Sequence, residues 1–455
     1  MTNRLLPLLR TAMYALRGGF LVRPLLISIG LGLLGAGLSS LEESVPSLSA
    51  WIPTILFPSR ADPQVAQIVL STIAESIMTV VSIVFAILLM TLTLASMQFS
   101  PRILLSFVKD RVTQWTLGIF LGTFVYCMAA LPAARSQPHP FAPIATVTCA
   151  MLLAVACVAW LIFFIHHISQ AISVNHIVDR IARETEAVID DIMPNVRRYA
   201  YEPEGVPFDS TKREGLVDSA LSGYIRYVDT ERLLYLAKAF KVRVRLLRRV
   251  GHFVPAGVAL FGASPEGRID HERARELRSA FEIGATRTMQ QDIEFGVIQI
   301  VDIALKAISS AINDPSTAIT CIDQLGRILI RFVSRDAPVS PLCDPPHVVR
   351  VIVPWIGTEN LLDTAFEQIR HYSASDVAVS LRILRAFNDI ASTCREPRIV
   401  ESLVTRGRRI LAGCAERLGP EQIDKLRQRL GALEGCMHAV TGGQPHGASI
   451  LFSEH

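Results

Sequence analysis

The chain has 455 residues, half of them apolar and 19% charged, with a formal net charge of +4. That length accommodates a membrane bundle plus one or two soluble domains. So small a positive excess, with no long basic run interleaved with aromatics, gives no nucleic-acid partner.

The first residues carry Arg4, Arg10, Arg17 and Arg23 and no acid, ahead of the apolar run 24–41. This reads as an uncleaved first span, because further membrane segments follow and no clean A-x-A site is present; a signal peptide is the alternative. The second span, 68–99, is apolar almost throughout and carries one ionisable residue, Glu75. At about 1.5 Å per residue it is roughly 48 Å long, beyond the roughly 30 Å hydrocarbon core, so it must tilt or project into water.

Projected at about 100° per residue, Ser71, Glu75, Thr79, Ser82, Ala86, Thr93, Ser96 and Ser100 fall in one arc, interrupted by Leu89. Two readings compete. Small hydroxyl residues let neighbouring helices approach closely and share hydrogen bonds. Alternatively the stripe faces water and lines a pore, with Glu75 as a cation-attracting or protonatable group.

A third span near 113–131 and a fourth near 141–165 complete a bundle of four. The terminal segment and the middle loop, with Arg102, Lys109 and Arg111, are richer in Arg and Lys than the loops 42–67 and 132–140. By the positive-inside rule both termini face the cytoplasm. Trp51, Trp115 and Trp160 suit interfacial anchors, and so do the paired His166 and His167, whose side chains diverge by about 100° on a helix and cannot readily share one metal. The pattern runs on as a helix over 169–196, with Ile172, Ile177, Ile181, Val188 and Ile192 as an apolar stripe and Pro194 as its stop. This connector is expected to extend the fourth span.

Beyond it the pattern changes. In 241–250, Val242, Val244 and Leu246 alternate with Lys241, Arg243 and Arg245, a half-buried strand. Asp229 and Thr230 open a helix, and Gly251 and Gly257 mark turns. The order of strand, short helix, strand and turn, above all VGHFVPAGVAL, resembles the barrel-sandwich module of biotinyl and lipoyl carriers. No MKM-like hairpin is present to carry a prosthetic group, so a structural module over 216–265 is expected, without a cofactor.

The segments TLASMQFSPRIL (93–104), LGTFVYC (121–127), FIHHIS (164–169), RTMQQDIEFGVIQIVDIALKAIS (287–309) and INDPSTAITCIDQLG (312–326) carry a second resemblance. Through them nearly the whole chain is similar to a bacterial family of predicted membrane proteins, domain of unknown function 2254. The resemblance implies a multi-pass protein of the bacterial inner membrane with four spans and a cytoplasmic body, and no established activity comes with it.

Asp314 and Pro315 fit the N-cap and first position of a helix over AITCIDQLGRILIRFV. A functional reading joins Asn313, Asp314 and Thr317 with Arg287, Gln291 and Asp292 around an anion or polar ligand. The sequence holds no GxxxxGK[ST], GxSxG, HExxH or EF-hand loop, and its isolated histidines and eight cysteines, with no CxxC pair, suggest no metal set.

The expected fold is a membrane α-helical bundle of four transmembrane helices plus a cytoplasmic α+β region with a small β-barrel-like module and a mainly helical body. The divisions are 1–168 for the spans, 169–215 for the connector, 216–265 for the β module, 266–440 for the helical body and 441–455 for a disordered tail. The leading functional expectation is a homo-oligomeric ion or small-solute channel or transporter, embedded in the lipid bilayer and gated by its cytoplasmic domain. A membrane-tethered sensor or scaffold with a protein partner is the alternative, and a membrane-bound enzyme the third.

Overall fold

The computed structural model describes residues 22–45, 62–98, 110–135, 140–171, 173–193, 215–336, 338, 340–344, 348–394 and 396–441. The basic lead-in through Arg17, Trp51, Ser100, the loop with Arg102 and Lys109, Pro194 and the expected tail from 442 lie outside them. The chain divides into two compact units, 1–173 and 174–455.

In the first unit four helices are, among the described residues, long and apolar enough to cross a membrane. They are α1 (Val22–Ser44), α2 (Pro63–Gln98), α3 (Arg111–Ala130) and α4 (Ile144–Ala171). Without a hydrophobic drive between helices in lipid, close backbone approach must hold such a bundle together, and glycine permits it. On α3, Gly118 and Gly122 lie one turn apart against α1; a Cβ at Gly122 would stand 2.5 Å from Leu31, and one at Gly118 2.7 Å from Ile27. From the other side, Gly35 of α1 meets the backbone of Tyr126. The remaining core joins Leu70, Ala74, Ile77, Val81 and Val84 of α2 to Phe120 and Tyr126 of α3 and Cys157 and Phe164 of α4.

Carboxylates close both ends of this unit. Glu42, only 2% exposed at the end of α1, accepts from the N–H groups of Ala145 (2.7 Å) and Thr146 (3.0 Å) and from the Thr146 hydroxyl (3.0 Å), so α4 is capped by a different helix. Asp110 caps α3 through the Thr113 N–H at 2.9 Å, and the His167 ring nitrogen lies 3.1 Å from the same carboxylate. Trp160 donates to the Thr116 hydroxyl at 2.9 Å. His167 and Trp160 thus join α4 to α3.

The expected continuous helix after the fourth span is two helices. α4 stops at Ala171, the Ser173 N–H turns back to the Gln170 carbonyl, and α5 (Val174–Ile192) begins the second unit. Its buried face is Ile177, Val178, Ile181, Ala182, Thr185 and Ile189.

Two open sheets follow. The first has the order β1 (Gly215–Asp218), β5 (Ala259–Ser264), β3 (Arg243–Leu246), β8 (Val348–Ile352) and β7 (Leu342–Asp344); the second is β4 (Phe253–Val254), β2 (Gly223–Val228) and β6 (Phe281–Gly284). The expected barrel-like module is therefore absent. A barrel closes its own edges, but here the strands of 216–265 divide between two sheets, and each sheet is completed from outside that stretch. β4 and β5, which flank the turn in VGHFVPAGVAL, do not pair with each other: β4 pairs with β2, and β5 with β1 and β3. The alternation read from 241–250 holds, with Val242, Val244 and Leu246 at most 4% exposed.

α6 (Thr230–Ala239) and α7 (His271–Arg278) accompany the sheets, and a helical body completes the unit. In it α8 (Ile293–Ala307) and α9 (Pro315–Val333) form a hairpin on which α5 packs. α10 (Thr358–Tyr372), α11 (Val377–Thr393), α12 (Pro397–Cys414) and α13 (Pro420–Thr441) extend it around a core that includes the edge-to-face pair Phe366 and Phe387, 5.0 Å between centroids. Arg327 of α9 meets Asp179 and Glu186 of α5, and Arg331 forms a two-pronged pair with Asp190.

Candidate functional site

On α2 the buried face runs through Ala66, Leu70, Ala74, Ile77, Val81 and Val84. The polar residues occupy the other side: Glu75, Thr79, Ser82, Ala86 and Thr93 are exposed and Ser71 is half-buried, while the side chain of Ser96 lies outside the described set. Among the described residues, then, the stripe from Glu75 to Thr93 does not pack against the other three helices. The hydroxyls bond their own helix, Ser71 to the Ile68 carbonyl (3.0 Å), Thr79 to Glu75 (3.1 Å), Ser82 to Met78 (3.1 Å) and Thr93 to Leu89 (2.8 Å). Each donor is satisfied without a neighbour, which lowers the cost of a hydroxyl in an apolar medium and leaves its lone pairs facing outward. Exposed Ile68, Ile83, Leu89 and Met90 flank the face.

The six residues proposed for a cytoplasmic polar site fall into two groups. Asp292 caps α8 by accepting from the Phe295 N–H, and Asp314 caps α9 by accepting from the Thr317 N–H and hydroxyl, at 3.1 and 2.6 Å. The Asp314 N–H bonds the carbonyl of Ala307, the last residue of α8. The two caps therefore stand at opposite ends of a 15-residue helix, about 22 Å apart. The Thr317 hydroxyl and N–H hold the Asp314 carboxyl below the usual carboxylate range, and Asn313 is in the left-handed region at φ 49°. Local capping accounts for this end.

The group at the start of α8 is larger than the sequence indicated. The Arg287 guanidinium forks onto Asp292 (2.7 and 2.8 Å) and reaches Glu294 at 3.1 Å; Arg249 meets Glu294 at 2.8 Å and the His252 ring at 2.9 Å. Gln291 accepts from the Val228 N–H and donates to the Val228 carbonyl, tying the loop to β2. All four charges are largely buried, Asp292 most of all at 5%. Burial pushes the Asp292 carboxyl up to about 6 against the opposing pull of Arg287. Burial, reinforced by Arg249, holds His252 below its ordinary value. Gly251 (φ 88°) lies directly on Asp292 and Arg287, where any Cβ would overlap the carboxylate. A neighbouring cavity of about 20 Å³, lined by Arg249, Asp292, Glu294 and Trp355, has room for one water molecule.

This arrangement neutralises itself, two guanidiniums against two carboxylates, and leaves no net charge for a ligand. Sequence reading found Arg287, Gln291 and Asp292 but missed Arg249, His252 and Glu294. Arg249 and His252 flank a glycine read only as a turn, and nothing local shows that this turn lies on the start of α8. Glu42 was likewise legible only as a loop acid.

A family model described as predicted membrane protein (DUF2254) matches residues 17–389. An uncharacterised protein of Mycobacterium bovis and one of Mycobacterium tuberculosis H37Rv are each 32% identical over 381 residues, covering 82% of this chain and 71% of the relative. No solved structure matches. With most of its length matched by that model, and relatives of this identity over four fifths of it, the chain belongs to the predicted membrane protein family DUF2254.

Proposed function

We propose that this protein assembles as a homo-oligomer around α2 and passes an ion or small solute along the polar face of that helix, with the soluble body as its regulator. The observation that carries the reading is the outward position of Glu75, Thr79, Ser82, Ala86 and Thr93, opposite the face α2 buries in its own bundle. A carboxylate left against lipid costs several kcal/mol, so Glu75 calls for water or another subunit. Four helices leave little room for a path inside one chain, whereas polar faces of several copies can enclose one. The arginine-rich segments favour an inner-membrane protein with both termini cytoplasmic.

The test places single cysteines at Glu75, Thr79, Ser82, Ala86 and Thr93 in a background lacking native cysteines, and applies a membrane-impermeant thiol reagent from each side. Labelling at successive depths, with cation flux in proteoliposomes reduced by Glu75→Gln, is the expected result. Labelling at position 75 alone, with no flux, sinks the proposal.

The self-satisfied hydroxyls favour one second reading, a dry helix-to-helix seam between copies. The protein would then be a membrane-tethered scaffold or sensor. Cross-linking at Thr79 and Ser82 without aqueous labelling selects that reading.

A further inference from the structure

A groove of about 640 Å³ opens between the first turns of α2 and the chain leaving α3, walled by Gln67, Ile68 and Ser71 on one side and Leu131, Pro132 and Arg135 on the other. α2 begins at Pro63 and α3 ends at Ala130, so the groove lies at the end of two spans, at the depth of lipid headgroups. Its walls are pinned. Gln67 donates to the Ala134 carbonyl, and Arg135 exchanges backbone hydrogen bonds with Phe141 at 3.2 and 2.8 Å.

The two walls differ in chemistry. Ile68 is 63% exposed and, with Leu131 and Pro132, offers an apolar surface. The Arg135 side chain is 41% exposed; its Nη2 meets the Glu43 carboxylate, and among the described residues Nε and Nη1 have no partner. A guanidinium presents a planar fork that matches a phosphate. A free anion would leave the apolar wall unused, and a purely apolar molecule would leave the guanidinium unanswered.

We infer that this groove binds a phospholipid, its phosphate on Arg135 and its upper acyl segment along Ile68 and Leu131. Glu43 competes with the phosphate for the same guanidinium and so limits the affinity. The site does not depend on whether the polar face of α2 is wet.

The test uses the full-length protein in detergent, with thermal unfolding and native mass spectrometry. Phosphatidylglycerol is expected to remain bound and to raise the unfolding temperature, while diacylglycerol of the same chains and inorganic phosphate do neither. Arg135→Gln should lower retained lipid about tenfold, the scale of one charge-assisted contact. Ile68→Trp, which keeps Arg135 and fills the groove, should do the same, and Glu43→Gln should raise retention. Retention unchanged in Arg135→Gln and Ile68→Trp would mean annular lipid only and overturn the inference. So would diacylglycerol or inorganic phosphate reproducing the stabilisation. Should Arg135→Gln fail to fold, Ile68→Trp and Glu43→Gln still separate a specific site from annular lipid.

Discussion

Glu42 in the first unit and Asp292 in the second are both buried carboxylates at helix starts, and they are satisfied in opposite ways. Glu42 reaches across from α1 to the first N–H groups of α4, and among the described residues its partners are N–H and hydroxyl groups. Asp292 sits on its own helix and adds a forked guanidinium to the cap. A helix terminus offers partial charge already fixed in place, so an acid there needs no counter-ion drawn out of water. An ion pair binds more strongly but requires two desolvations, and the raised pKa of Asp292 records that cost.

The sharpest way to break the comparison is Arg287→Met. It strands Asp292, and thermal unfolding of the detergent-solubilised chain at pH 7 should show a loss of about 3–5 kcal/mol. The deficit should shrink at pH 5, where Asp292, already at about 6, takes up a proton. A deficit independent of pH would mean that Arg287 acts by packing alone.

Asp292 itself gives the next effect. Its carboxyl lies above its ordinary value in the folded state, so the native protein binds the proton more tightly, and stability falls as pH rises through about 4 to 6. The change is on the order of 3 kcal/mol and should vanish in Asp292→Asn. His252, held low, pulls the other way as pH falls below its ordinary range, and it is present in both proteins. Parallel stability curves for the two would contradict the assignment.

Glu42→Ala should cost about 2 kcal/mol by uncovering the buried N–H groups of Ala145 and Thr146, and Glu42→Gln less, because an amide oxygen still accepts. Like that of Arg287→Met, the loss should vary little with salt, because both carboxylates are buried. Smallest is Arg331→Gln. Its pair with Asp190 is solvent-exposed, so a change under about 1 kcal/mol, fading as salt is raised, is expected in unfolding experiments.

The spans, the strand at 243–246 and the caps at Asp229 and Asp314 were legible because each is written in neighbouring residues. Apolar runs, a period of two and an acid before a periodic run need no distant partner. The barrel-like expectation failed because strand pairing is not local: β3 lies beside β8, about a hundred residues on, and no pattern within 241–250 names that partner. Of the cluster around Asp292, Arg287 and Gln291 lie within a few residues of it, while Arg249 and His252 arrive from the turn that joins β3 of one sheet to β4 of the other.

The sequence by itself determined that this is a membrane protein with four long apolar helices, a polar arc on the second, and a body that mixes helix and strand. Hydrophobicity and its period are properties of consecutive residues. Only the tertiary structure decided that the polar arc faces away from the chain's own bundle, that Glu42 closes α4, and that the six suspected cytoplasmic residues stand at two ends of α8. Each of these depends on which surfaces meet, and that is settled by glycine contacts, crossing helices and distant strand partners rather than by spacing along the chain.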